Sequence, residues 1–279
     1  MYKRQDEDHF GAIDKACHGL IELPAVEQGG LLWVHPREDG EINLEELLGE
    51  LGPELDSFGM EKHLYAGSST IDKKLNWKFA NDTFGETYHF AKLHKETLGR
   101  IFYGNNLHFK EFGRNHRFVT ASRGIDQLRQ RPESDWEISR GTFVLYHLFP
   151  NIQLVTSAHT TTLIRIYPHE KGPSRSVTKI SFYYSQQSME YAAEQKMNTE
   201  EFDVYDPDGR DAGPTLEGSQ EVFRSTIEQE DYDMGEMQQL AAENGQLRQI
   251  IFGRNEPALH HFHNNYREAL GQPPLEKIG

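Results

Sequence analysis

Apolar positions change their period several times along the chain, and each change marks an element. Between Ile13 and Pro36 two short apolar runs, Gly19–Leu23 and Gly30–His35, flank Pro24–Gly29 and read as two strands and a turn. Two strands are too few for a stable sheet, so this stretch reads as the trailing edge of a domain. After the polar turn Arg37–Gly40, Asn43 is placed to cap a helix from Leu44 to about Leu55, with Leu44, Leu47, Leu48 and Leu51 on one stripe. From Lys62 onward the spacing predicts strands at His63–Ala66 and Leu75–Ala80, then a helix from about Thr83 to Gly99. Four β-rich runs follow, Thr142–His147, Ile152–Val155, Thr160–Tyr167 and Val177–Tyr184, separated by short breakers such as Phe149–Asn151. Strands this close together imply an antiparallel sheet. Tyr205–Pro214 reads as an irregular loop, followed by a long helix from about Gly218 to Glu243 and a last one from Pro257 to Leu270, stopped by Gly271. Strands followed by long helices give an α+β fold, with the helices on one face of a curved antiparallel sheet.

Composition narrows the function. Forty-four Asp and Glu against 29 Lys and Arg leave a net charge of −15, which argues against binding nucleic acid or an anionic membrane surface. Sixteen Phe, 12 Tyr and 3 Trp supply a core. The single cysteine, Cys17, cannot form a disulfide framework or a multi-cysteine metal site within the chain and reads as buried or incidental. No apolar run is long enough for a bilayer and the opening residues carry no secretory pattern, so the expected location is cytoplasmic.

The chemistry concentrates in Asn76–His94. His89 and His94 fall on the predicted helix, where five residues turn them about 140° apart, so a shared metal requires a kink, a π-bulge or a helix end. Two histidines and one carboxylate with open positions form the non-heme Fe(II) arrangement for oxygen chemistry. The acidic run Glu228–Glu236 offers the carboxylate, and spacing alone leaves Glu228, Glu230, Asp231, Asp233 and Glu236 open. A zinc hydrolase on the same residues is the weaker reading, because no general-base motif accompanies them. Thr83 and Glu86 have capping-box spacing, Asp82 suits an N-cap, Tyr88 and Phe84 read as packing, and His260, His261 and His263 as a surface helix face. The Asn81–Thr83 sequon carries no meaning without a secretory signal, and no glycine-rich phosphate loop is present.

Asn76-Trp77-Lys78, Asp82–Glu86, Tyr88-His89 and Leu93-His94 together resemble the iron site of Rieske-type aromatic-ring-hydroxylating oxygenase α subunits. Gln229–Gln238 is similar to that family's carboxylate segment and Phe252–His263 to its C-terminal helix, so the resemblance covers roughly residues 13–272. It implies a helix-grip, START-like (Bet v1-like) catalytic domain over residues 59–279, a connecting segment over 37–58, and the end of a Rieske domain over 1–36. It further implies His89, His94 and Asp231 as ligands of a mononuclear Fe(II), Glu86 as the acidic link to a neighbouring subunit's cluster, and Asp82 near the pocket. The implied reaction is O2-dependent hydroxylation of an aromatic compound, with electrons from NAD(P)H through a reductase or ferredoxin and a [2Fe–2S] cluster, in a homotrimer or α3β3 assembly. The cluster needs two Cys and two His, and only Cys17-His18 stands here, so the cluster is expected in a full-length parent and the chain alone is expected not to turn over with NADH. The rival expectation is a non-catalytic module of the same fold that holds a hydrophobic ligand.

Overall fold

The computed structural model describes residues 9, 11–12, 14, 17–136, 138–157, 159–197, 215–246 and 249–278. The expected loop at Tyr205–Pro214 lies outside the described residues. A two-stranded hairpin, β1 (Ala25–Gln28) and β2 (Leu31–Val34), precedes the main sheet. That sheet comprises β3 (Leu64–Lys73), β4 (Phe102–Phe112), β5 (Asn115–Ser122), β6 (Thr142–Leu148), β7 (Ile152–Thr156), β8 (Thr160–His169) and β9 (Gly172–Tyr184). Its order is β3-β9-β8-β7-β6-β5-β4 and every pairing is antiparallel, as the four runs between 142 and 184 predict. β4 to β9 form a meander, and β3 joins it at the far edge with Ile71 opposite Thr178.

Alternation along the strands gives the sheet two apolar faces. On one face Ile71, Ile164, Ile180 and Phe182 pack against Ile227, Tyr232 and Phe262 of the C-terminal helices. The Tyr232 hydroxyl, buried among them, shares a 2.9 Å hydrogen bond with Thr178. On the other face Tyr146, Leu148 and Leu154 meet Leu48, Leu51, Leu55 and Met60, with Leu31 and Trp33 of the hairpin at the margin. Each of the buried leucines, Leu48, Leu51, Leu55, Leu148 and Leu154, removes a whole side chain from water, worth about 1.5–3 kcal/mol apiece. Among the described residues no helix is long and apolar enough to cross a membrane.

Several elements depart from the sequence reading. Gly19–Leu23 is not a strand: Leu20 is 92% exposed, and β1 lies in the stretch expected to be the turn. The hairpin turns instead at Gly29-Gly30, with φ of 63° and 71°, the conformation a two-residue type I′ turn requires. The helix expected over Leu44–Leu55 is two, Leu44–Leu48 and Leu51–Asp56, parted at Gly49 with φ 50°. Asn43 does cap the first, accepting from the Glu46 N–H at 3.1 Å. Leu75–Ala80 is not a strand; Asn76 caps a helix over Trp77–Asp82. β4 and β5 are not marked by the sequence pattern: β4 is half-buried or exposed up to Phe112, and in β5 Asn115, His116, Thr120 and Ser122 are buried polar residues that erase the hydrophobic alternation. Cys17 is exposed, not buried, and its thiol donates to Asp14.

Candidate metal centre

The stretch after Trp77–Asp82 is not the helix expected over Thr83–Gly99. It is a string of turns holding one 3-10 turn, Tyr88–Ala91, and a short helix, Leu98–Ile101. Close backbone contacts with neighbouring segments account for this. A Cβ at Gly104 of β4 would lie 2.4 Å from the Thr87 carbonyl oxygen, and one at Gly99 would lie 2.6 Å from that of Phe90. Thr87 Oγ1 also donates to the Gly104 carbonyl at 3.1 Å. The turn geometry removes the 140° separation of an ideal helix, and the rings of His89 and His94 stand 4.9 Å apart.

The third residue comes from the C-terminal helical rod, which runs from Leu216 to Glu243, capped by Thr215. The rod is interrupted at Ile227–Asp231 by a turn of π-helix. Such bulges redirect side chains and cluster at functional sites. Here the π-turn aims both Glu230 and Asp231 at His94. Asp231 Oδ1 lies 3.0 Å from His94 Nε2 and 3.5 Å from His89 Nε2, while Glu230 Oε2 accepts from His94 Nδ1 at 2.6 Å. One donor atom from each of His89, His94 and Asp231 falls within a 4.8 Å cluster, the one such group among the described residues. Two ligand atoms bound near 2.1 Å to a common ion stand roughly 3.0–3.4 Å apart, so the spacing to Asp231 suits a shared cation.

Each imidazole has its own second carboxylate. Glu86 accepts from the His89 backbone N–H at 3.2 Å and is also bonded to His89 Nδ1. Glu230 binds His94 Nδ1 and the Thr97 hydroxyl, the latter at 2.9 Å. These bonds occupy both Nδ1 atoms and leave both Nε2 atoms for an ion. His89 Nε2 is buried and has no hydrogen-bond partner, an orphan that a metal bond would satisfy. Burial alone would lower the pKa of His89, but Asp231 and Glu86 overcome it and push it up to about 9. His94 is raised in the same way by Asp231 and Glu230 against burial. Burial would raise Asp231, yet the two histidines beside it hold it below the usual carboxylate range. The site attracts positive charge, which protons supply when no cation is bound.

Two cavities meet at the donors. One of about 390 Å3 is lined by His89, His94 and Asp231 together with Phe84, Phe90, Phe102, Phe118, Phe143 and Phe223. The other, of about 560 Å3, is lined by Glu86, His89, Asp231, Asp82, Tyr88 and Glu256 among others. Asp82 is therefore not beside the phenylalanine cavity. It ends the Trp77–Asp82 helix, so it is no N-cap, and both its oxygens meet His263 Nε2, at 2.8 and 3.0 Å. Burial raises its pKa, and His263 works against that rise.

Other expectations change. Glu86 starts no helix, so the capping-box reading falls. Tyr88 does more than pack: its hydroxyl donates to Glu256 at 2.8 Å. His261 is buried, with Nδ1 3.0 Å from that of His116, and His263 holds Asp82, so the trio is not a surface face. Of the other acidic candidates, Glu228 pairs with Arg224, Asp233 with Lys73 at 2.6 Å, and Glu236 accepts from the Lys74 N–H at 2.7 Å. The sequence gives no sign that Glu230 partners His94 beyond its place beside Asp231 in the acidic run.

A profile of the family described as "Ring hydroxylating alpha subunit (catalytic domain)" matches residues 60–272, and the chain belongs to that family. The α+β helix-grip architecture is the fold of its relatives. The quaternary ammonium Rieske monooxygenase CntA superposes with a TM-score of 0.67 at 14% identity, covering 94% of this chain and 65% of that one. A naphthalene 1,2-dioxygenase variant bound to phenanthrene gives 0.55 at 14%, over 94% and 68%. Dicamba monooxygenase bound to dicamba gives 0.53 at 8%, over 88% and 68%. The chain thus spans about two thirds of the length of these structures. No curated protein sequence matches it.

Proposed function

We propose that this chain is the oxygen-activating part of a Rieske-type terminal oxygenase, with His89, His94 and Asp231 holding one mononuclear non-heme Fe(II). The observation that carries the reading is the buried, unpartnered His89 Nε2 beside an Asp231 carboxylate that also meets His94. Two imidazoles and a carboxylate suit Fe(II) with positions left open, and the bound ion would supply dioxygen activation. The protein's own residues do the rest. Glu86 and Glu230 fix the two rings with Nε2 inward. The phenylalanines hold an apolar substrate beside the donors and exclude water.

An uncharged aromatic ring suits this cavity best. A quaternary ammonium group is favoured by electron-rich Trp or Tyr faces and a spare carboxylate. Here the rings are phenylalanines, and Glu86 and Asp231, the carboxylates in the lining, are both engaged with histidine.

For the electron supply, we take residues 1–36 as the end of a Rieske domain, 37–58 as a connector and 59–279 as the catalytic domain. A [2Fe–2S] cluster belongs to a longer parent, served by a reductase or ferredoxin and assembled as a homotrimer or α3β3. The side holding Glu86 and the half-exposed Tyr88 is where a neighbouring subunit's cluster would dock.

The test is anaerobic Fe(II) loading, desalting and metal analysis. About one iron per chain is expected, falling below about a tenth in His94→Ala or Asp231→Ala variants of unchanged circular dichroism. Folded wild-type chain that retains no iron would overturn the reading and leave the hydrophobic-ligand module.

A further inference from the structure

On the sheet face away from the metal donors, a cavity of about 390 Å3 lies beneath the β1–β2 hairpin. Alternation along β8 explains what lines it: Ile164 and Ile166 join the core under the C-terminal helices, so Leu163 and Arg165 face the hairpin. Leu31, Trp33, Met60, Leu148 and Tyr183 complete an apolar wall. The hairpin is seated firmly. A Cβ at Gly30 would lie 2.5 Å from the Glu61 backbone nitrogen, and within the hairpin the Trp33 indole N–H donates to the Gln28 carbonyl at 3.2 Å.

Arg165 is the anomaly. Among the described residues its guanidinium makes one hydrogen bond, from Nη2 to Ser181 Oγ at 2.8 Å, and its Nε is buried without a partner. No carboxylate pairs with it among the described residues. Of the other partly buried arginines, Arg117 meets Glu54, Arg175 meets Asp72 and Arg224 meets Glu221 and Glu228, while Arg267 donates from Nε to the Pro273 carbonyl. A fixed positive charge with five donors, set in an apolar wall without a counter-ion, bears a desolvation cost that an incoming anion would offset.

The geometry points to a second ligand site here, for a molecule that joins a carboxylate to an aromatic or branched apolar body. The carboxylate matches the guanidinium fork, and the body fills the space between Trp33, Met60 and Leu163. A phosphate would bring more charge than one arginine and one hydroxyl can answer, and a neutral ring would leave Arg165 uncompensated. The cavity volume sits at the lower end of small-molecule sites, enough for one or two fused rings. This site is separated from the metal donors by the sheet and stands independently of the iron reading.

The experiment is isothermal titration calorimetry of the full chain with 1-naphthoate and with the neutral 1-naphthalenemethanol, alongside tryptophan emission. Naphthoate is expected to bind and to change the emission, with the change lost in Trp33→Phe. Arg165→Gln should weaken naphthoate about tenfold or more and leave the alcohol unaffected. Leu163→Trp, which fills the cavity and keeps the arginine, should abolish naphthoate binding and serves if Arg165→Gln does not fold. Absence of naphthoate binding to the wild-type chain overturns the proposal. So does binding that survives both substitutions, which would put the ligand elsewhere, in the phenylalanine cavity.

Discussion

Glu86 and Glu230 have the same task on different histidines, but they sit in different surroundings. Glu230 accepts from His94 and Thr97 and lines neither cavity at the donors. Replacing it with leucine frees the His94 ring to turn and should weaken Fe(II) binding about 10–100-fold, measured by competition with a chelator. Complete loss of iron would instead make Glu230 a ligand. Glu86 lines the wider cavity, and in a parent that carries the cluster Glu86→Gln should keep its iron while NADH-coupled product per iron falls severely. Equal yields would reduce Glu86 to the holder of His89. At this scale the sequence was informative through the family resemblance and blind beyond it. Residue spacing left five carboxylates open, because which one faces the histidines depends on a π-turn that composition does not announce. His261 and His263 are polar without being a surface face, because both spend their nitrogens on internal partners, Gly113 and Asp82.

Among the elements, the segment from Asp82 to Gly99 is the instructive one. Its residues favour a helix, and tertiary contact overrides them. β4 presses against the carbonyls of this segment through Gly104, where nothing larger than hydrogen fits. Gly104→Ala should therefore destabilise the fold by about 1–3 kcal/mol and loosen the histidines, read as a lower Tm and a reduced iron stoichiometry. An alanine variant with unchanged Tm and full iron would show that the contact does not set the site. Buried polar residues hide β5 from the sequence, while β6 to β9, with clean β-branched runs, are legible. So are the ends of the last helix, marked by Pro257 and by Gly271 with its φ of 66°. The β1–β2 hairpin is less legible, because its turn is the pair Gly29-Gly30 and Pro24–Gln28, with a proline and polar residues, resembles a turn more than a strand.

At the scale of the whole molecule, acid sensitivity is built into the interior. His116 and His147 stack at 4.8 Å, and His261 closes on His116. Burial, then the neighbouring imidazole of His261, pushes His147 down to about 3, and burial likewise pulls His116 well below its ordinary value. The unfolded chain takes up these protons near pH 6.5 and the native chain refuses them. Their contribution to stability is therefore complete above about 6.5 and is lost as the pH falls toward the depressed native values, by about 1.4 kcal/mol per pH unit for each neutral histidine. Thermal melts between pH 7 and 5 should show this fall, and His147→Gln should make it shallower; an identical slope would clear His147 of the effect. One further consequence follows from β8, whose side chains alternate between two environments. A slip of one residue against β7 or β9 would drive the Arg165 guanidinium in among Ile71, Ile180 and Phe182 and turn Ile164 out toward the hairpin. The charge that looks out of place beneath the hairpin thus also acts as a pawl, allowing the central strands to settle in one alignment and blocking the neighbouring one.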